Sequence, residues 1–209
     1  SGTRSEALDA ETLAMLKRTG CNYLVYAAES GSPETLEKIK KRISLDDLTA
    51  SVLEAHRQGI IVRTNLIIGF PHETRRHIFQ TVKYGLYLAI RGAEEVSINI
   101  FSAYPGTEIF AELLERGRVK LDDAYFLSLT SLNSDYTSLN PLTANDNIGP
   151  RELALYRIVF MLANYAIGYL LRPKRILSTI RAMFFNQRAT TVLEHRLKDA
   201  MKRRRIAES

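Results

Sequence analysis

Three short runs rich in β-branched and apolar residues, at 23–28, 60–68 and 96–101, alternate with stripes of helical periodicity, and this alternation most limits what the chain can fold into. Strands that alternate with helices along a chain build α/β units around a parallel sheet. Asp9 predicts an N-cap, Leu13 and Leu16 fall at helical spacing, and Gly20 suits the left-handed position just past the helix end. The first strand follows at once. Ser32, Pro33 and Glu34 then supply an N-cap, a proline at the first helical position and an acidic first turn, which starts a short helix to about Lys41. Ser44 and Asp47 resemble a capping box, and Leu48, Val52 and Ala55 line one face of a helix that stops at Gly59. The second strand ends at Gly69. Phe79, Val82, Leu86 and Ala89 form the next helical stripe, with Gly92 beyond it and the third strand after that.

Past Tyr104-Pro105-Gly106-Thr107 the pattern changes. A helix from Thr107 to about Arg116 precedes a Ser-, Thr-, Asn- and Pro-bearing stretch, 122–150, that reads as an irregular connection, and the remainder is helical. The expected division is therefore an α/β part over 1–120, an irregular connection over 121–150, and a helical extension over 151–209.

The 209 residues, 45% of them apolar, suffice for a buried core. The single cysteine, Cys21, excludes an internal disulfide framework and any all-cysteine metal site within the chain, and fits a reducing cytosol. No secretory signal pattern opens the sequence. The longest apolar stretch, 158–171, is interrupted by Asn164 and Gly168 and falls short of the roughly 20 residues that span a bilayer, so a buried helix is expected. Charge is unevenly placed: residues 1–171 hold 18 basic against 20 acidic side chains, whereas 172–209 hold 11 against 3. The basic character belongs to the tail.

Parallel α/β architectures place their sites where strand carboxyl ends meet the following helices. Three such loops stand here: Glu29-Ser30-Gly31-Ser32, Gly69-Phe70-Pro71-His72-Glu73-Thr74 and Tyr104-Pro105-Gly106-Thr107. Glu29 and Ser30 can accept hydrogen bonds from ribose hydroxyls or an amine, or can serve only to shape the helix start. Arg63 and Asn65 share one face of the second strand. Arg63 either partners a carboxylate, in a bidentate geometry lysine could not match, or reaches solvent near the strand's start. Gly69 lets a flat ring approach the backbone. His72 is expected to face solvent, and Glu73 to stabilise the turn and helix start.

The runs "YAAESGSPETLEKIKKR", "GIIVRTNLIIGFPHET" and "INIFSAYPGTEIF" resemble, in that order and spacing, the last three barrel strands of the radical S-adenosylmethionine superfamily. The form is most similar to the subgroup bearing an N-terminal cobalamin-binding domain, which includes enzymes of the anaerobic porphyrin cyclase type and methyltransferases. The opening "SGTRSEALDAETLAMLKRTGC" is similar to the segment after the third strand in those proteins. The resemblance implies an α/β fold, an incomplete (β/α) barrel of about three parallel strands, followed by the helical extension. It implies that Glu29 and Ser30 lie near the cofactor's ribose or methionine moiety and that Arg63 or Asn65 faces the lumen toward the methionine end. It further implies that Ile67 and Gly69 pack against the adenine, and that Tyr104 and Pro105 close the barrel near the adenine edge. The family often has glycine where Asn65 and His72 stand.

S-adenosylmethionine and a 4Fe-4S cluster are the implied cofactors, with cobalamin brought by a further N-terminal domain. In such enzymes the cofactor yields a 5′-deoxyadenosyl radical for methyl transfer, ring formation or related chemistry on a small-molecule substrate. The Cys-x-x-x-Cys-x-x-Cys loop that holds the cluster is not in this sequence, so the resemblance implies a chain that starts after the barrel's third strand, partners the missing N-terminal half, and is catalytically inert alone. No residue of this chain is then expected to be catalytic or to bind metal. A rival function rests on the tail: 174–185 puts Ile176, Leu177, Ile180 and Phe184 opposite Lys174, Arg181 and Arg188, as an interfacial membrane helix or a partner-binding helix would. The Lys202-Arg203-Arg204-Arg205 run could add attraction to anionic lipid, while nucleic acid is not an expected partner. The expected location is cytoplasmic, with peripheral membrane contact through the tail.

Overall fold

The computed structural model describes residues 8–131, 139, 141–173, 176 and 179. Ten elements follow in order: α1 (Ala10–Arg18), β1 (Tyr23–Glu29), α2 (Pro33–Lys38), α3 (Leu45–Arg57), β2 (Ile61–Ile68), α4 (Arg75–Arg91), β3 (Glu95–Ile100), α5 (Glu108–Glu115), α6 (Asp123–Ser131) and α7 (Pro150–Leu171). The chain divides into two compact units, Ser1–Asn164 and Tyr165–Ser209. The membrane- and partner-binding features read in the tail fall almost wholly outside the described residues.

The three strands form one open parallel sheet in the order β1-β2-β3. Val25, Arg63 and Glu95 share a register row, as do Ala27, Asn65 and Ser97 two residues later. Exposure alternates strictly along β2: Val62, Thr64, Leu66 and Ile68 are buried, while Arg63, Asn65 and Ile67 are half-buried. A Cβ added to Gly85 of α4 would sit 2.9 Å from Cδ1 of Leu66, so the buried face is the one that α4 covers. Arg63, Asn65 and Ile67 thus occupy the opposite face, with Ser97 and Asn99 beside them on β3. Period-two alternation in strands otherwise rich in Ile and Val is the signature of a sheet with one helix-covered face and one polar face.

The helix starts are chemically specified. Asp9, Ser32, Ser44 and Thr107 each accept the backbone N–H three residues on, and Gly20 and Gly59 take positive φ where helices give way to strands. The main core joins Leu13, Tyr26, Leu48, Val52, Val62, Leu66, Ile68, Ile78, Leu88 and Ile98, all buried.

Two elements differ from the sequence reading. The connection expected to be irregular contains α6, whose Tyr125 and Leu129, one helical turn apart, join Ala103, Phe110, Leu113 and Ala144 in a second cluster. Asp122 accepts the Tyr125 N–H, and the Tyr125 hydroxyl donates to the Ala103 carbonyl. Packing of two side chains, not overall polarity, decides this helix. The apolar stretch expected to fall short of a bilayer is part of the longer α7, which is long and apolar enough by length and composition to cross a membrane. Its Leu153, Ala154 and Phe160 are nevertheless buried in the first unit's core, as a core helix requires.

Candidate functional site

The carboxyl ends of β2 and β3 frame a cavity of about 310 Å3 lined by Ile67, Asn99, Phe101, Ser102, Tyr104 and Thr107, together with Ile100 and Ile109. That volume lies within the roughly 300–1,000 Å3 typical of small-molecule sites. Phe101 and Tyr104 give it aromatic surface, and Tyr104 is 53% exposed at its mouth. The Ser102 hydroxyl is buried in this wall with no hydrogen-bond partner among the described residues. An orphaned buried hydroxyl costs about 1–3 kcal/mol, a cost that a polar ligand would remove.

The loop Tyr104-Thr107 is a tight turn: the Thr107 N–H donates to the Tyr104 carbonyl, and Gly106 has φ 90°. Proline at its second position and a positive φ at its third match a type II turn. Pro105 is exposed and shapes this turn without lining the cavity.

Ile67 and Tyr104 therefore meet at one hollow. Glu29 lies one strand away, paired in register with Leu66 through a bulge after Ala27. Its φ of 64° is left-handed, which costs a non-glycine residue roughly 1–2 kcal/mol. Its half-buried carboxylate faces the Lys41 ammonium at 3.4 Å. Such strain at a strand end recurs at binding sites.

Ser30 points elsewhere. It is fully buried, its hydroxyl is 2.9 Å from that of Thr81 on α4, and it also accepts the Ser32 N–H. Gly31 beside it is a close-approach residue: a Cβ there would stand 2.5 Å from Cβ of Tyr84 and 2.9 Å from the Gln80 carbonyl oxygen. This loop is thus welded to α4. Gly69 has φ 89°, and the side a Cβ would fill faces Leu153 and Ile100, so its bareness serves internal packing.

The second loop is held by Glu73, the residue expected to stabilise its turn, and by Asn145, which no local pattern links to it. Glu73, fully buried, accepts the N–H groups of Gly69 at 2.6 Å and Phe70 at 3.1 Å with one oxygen and the Thr35 hydroxyl with the other. Burial pushes its carboxyl above the usual range, against the lowering effect of those bonds. Asn145 closes the loop from outside: its amide donates to the carbonyls of Phe70 and Glu73, and its oxygen accepts from Asn147 and Ile148. His72, expected in solvent, turns a buried, unpartnered Nε2 inward with its ring near Phe70, and burial lowers its pKa. His77 accepts the Thr74 N–H through Nδ1, which places its ring proton on Nε2 toward Glu34 at 2.9 Å.

The model of the radical SAM superfamily matches residues 1–85, which hold β1, β2 and both loops just described. Over those residues the chain resembles the radical SAM superfamily. Among curated proteins, the chain is 26% identical over 180 residues to the uncharacterized methyltransferase PH0819 of Pyrococcus horikoshii, covering 86% of this chain and 36% of that protein. It is 30% identical over 115 residues to the heme chaperone HemW of Bacillus subtilis, covering 54% of this chain and 29% of that one. The uncharacterized protein MJ0486 of Methanocaldococcus jannaschii is 26% identical over 133 residues, covering 61% of this chain and 40% of that one. The chain thus spans well under half the length of the relatives it matches. A solved structure it resembles is coproporphyrinogen III oxidase HemN of Escherichia coli, titled a radical SAM enzyme, at 19% identity and TM-score 0.44 over 64% of this chain and 31% of that one.

Radical SAM enzymes in general use S-adenosylmethionine and a 4Fe-4S cluster. The cavity, its aromatic walls and the orphaned Ser102 hydroxyl fit the adenosyl part of that cofactor. The cluster does not fit. The chain has one cysteine, and no group of three or more His, Cys, Asp or Glu side chains suited to a metal occurs among the described residues.

Proposed function

We propose that this chain is the adenosyl-binding half of a radical SAM enzyme, with the nucleoside seated in the Ile67–Tyr104 cavity and the cluster ligands supplied from outside the chain. The observation that carries the reading is the buried, unpartnered Ser102 hydroxyl in the wall of an aromatic-lined hollow at the sheet's carboxyl edge. When bound with its cluster, the cofactor supplies the radical chemistry. The residues here do the rest: Ile67, Phe101 and Tyr104 exclude water from the base, Ser102 donates or accepts one hydrogen bond, and Glu29 accepts from a ribose hydroxyl or the amine. Gly69 and Pro105 act by shaping the two loops.

The reaction class we favour is methyl transfer, on the likeness to PH0819; ring-forming chemistry is the second reading, on the sequence resemblance alone. Cobalamin has no support in the relatives' names and is not part of the proposal. Alone, the chain is proposed to be catalytically inert, because one cysteine cannot supply three thiolates.

Calorimetric titration with 5′-methylthioadenosine tests the reading. Binding is expected for the wild type, about tenfold weaker for Ser102→Ala and lost for Ile67→Trp, which fills the cavity. Unchanged binding in Ile67→Trp would refute the site.

A further inference from the structure

The polar face of the sheet continues well below the adenosyl cavity. Arg63 lies four residues before Ile67 on β2, about 13 Å along the strand at 3.3 Å per residue. The Arg63 Nε–H donates to Oδ1 of Asn65 at 3.1 Å, and the Ser97 hydroxyl donates to the same oxygen at 2.8 Å. The Asn65 oxygen is thereby saturated. Its amide nitrogen, and the two terminal nitrogens of the guanidinium, make no hydrogen bond to any described residue. Arg63 has no ion-pair partner among them either. Glu95, its register neighbour on β3, is 4% exposed and already engaged.

This is an oriented donor set. One edge of the guanidinium is fixed by Asn65, so the other edge presents two parallel N–H groups in a fixed direction, with the Asn65 amide beside them. A planar two-oxygen acceptor matches such a fork, and the half-buried guanidinium has no counter-charge among the described residues. We propose that Arg63, oriented by Asn65 and Ser97, binds a carboxylate of the substrate. The proposal rests on the adenosyl reading for its geometry: with the nucleoside at the strand ends, the lower row is left for the molecule that reacts with it. The substrate class is therefore a carboxylic acid whose acid group sits in the depth of the barrel.

The test compares five ligands on one chain. Glutarate, glutaramide, inorganic phosphate, 5′-methylthioadenosine and S-adenosylmethionine are titrated against the wild type, Arg63→Gln and Asn65→Asp, with amide chemical shifts as the readout and thermal melts as the check on folding. Asn65→Asp is close to isosteric and gives Arg63 an internal counter-ion. Glutarate is expected to shift amides around Arg63, Asn65 and Ser97, at least tenfold more weakly in both variants, while glutaramide does not bind. Equal glutarate affinity in wild type and Arg63→Gln would overturn the proposal, as would tighter binding of phosphate than of glutarate. A loss of S-adenosylmethionine binding in Arg63→Gln with 5′-methylthioadenosine unaffected would assign Arg63 to the cofactor's methionine and also overturn it. Failure of 5′-methylthioadenosine to bind the wild type, with glutarate still bound, would instead sink the adenosyl reading alone.

Discussion

Replacing Glu73 isolates what holds the second strand-end loop. In Glu73→Ala the buried N–H groups of Gly69 and Phe70 lose their common acceptor, while the Thr35 hydroxyl can rotate to another partner. Two orphaned buried donors at about 1–3 kcal/mol each give a destabilisation of about 2–6 kcal/mol, a large share of the 5–15 kcal/mol typical of a domain. Glu73→Gln keeps one oxygen for those donors and turns its NH2 toward the Thr35 oxygen, so it should cost only about 1–2 kcal/mol. Charge gives a second signature. Burial raises the folded-state pKa of Glu73 above its usual value of 4.5, so the folded form holds its proton more tightly than the unfolded form. The associated stability is complete below pH 4.5 and is lost as pH rises through the raised pKa. Urea unfolding followed by circular dichroism, between pH 4 and pH 8, should show this decline in the wild type and a flatter profile in Glu73→Gln. A cost below about 0.5 kcal/mol for Glu73→Ala, or equal costs for the two variants, would refute the reasoning.

Three further substitutions probe the other loops. Gly31→Ala puts a methyl group into the α4 backbone and should cost about 1–3 kcal/mol of unfolding free energy, seen as a lower urea midpoint at unchanged slope. Glu29→Gly relieves left-handed strain and should stabilise the fold by up to about 1 kcal/mol while weakening 5′-methylthioadenosine binding, a divergence that thermal melts and calorimetry would show together. Asn145→Asp replaces the donor to the Phe70 and Glu73 carbonyls with an acceptor, so the Gly69 and Phe70 amides should exchange with solvent at least tenfold faster near neutral pH and recover as the carboxylate protonates.

How much could be read before folding differs by element. The strands and helix starts were legible because Asp9, Ser32, Ser44 and Thr107 cap locally and because the strand runs announce themselves by composition. The pairing of Arg63 with Asn65 on one strand face followed from period two alone. What could not be read depends on contacts far apart in sequence. Gly31 is explained by α4, Gly69 by Leu153, and α6 by the cluster around Phe110. Ser30 lies in a motif that pointed to a ligand, yet Thr81, 51 positions away, takes its hydroxyl. The left-handed backbone at Glu29 has no local signal, since only a bulge fixed by pairing with β2 imposes it. Loop polarity alone places His72 in solvent, and its ring is instead drawn in beside Phe70.

The central claim is that the ends of β2 and β3 form a seat for an adenosyl group. Amide chemical-shift mapping with 5′-methylthioadenosine addresses it directly. The account requires shifts concentrated at Ile67 and at Asn99 through Thr107, with the β1 start and α1 undisturbed; shifts centred on the α1–α3 surface, or none at saturating nucleoside, would contradict it.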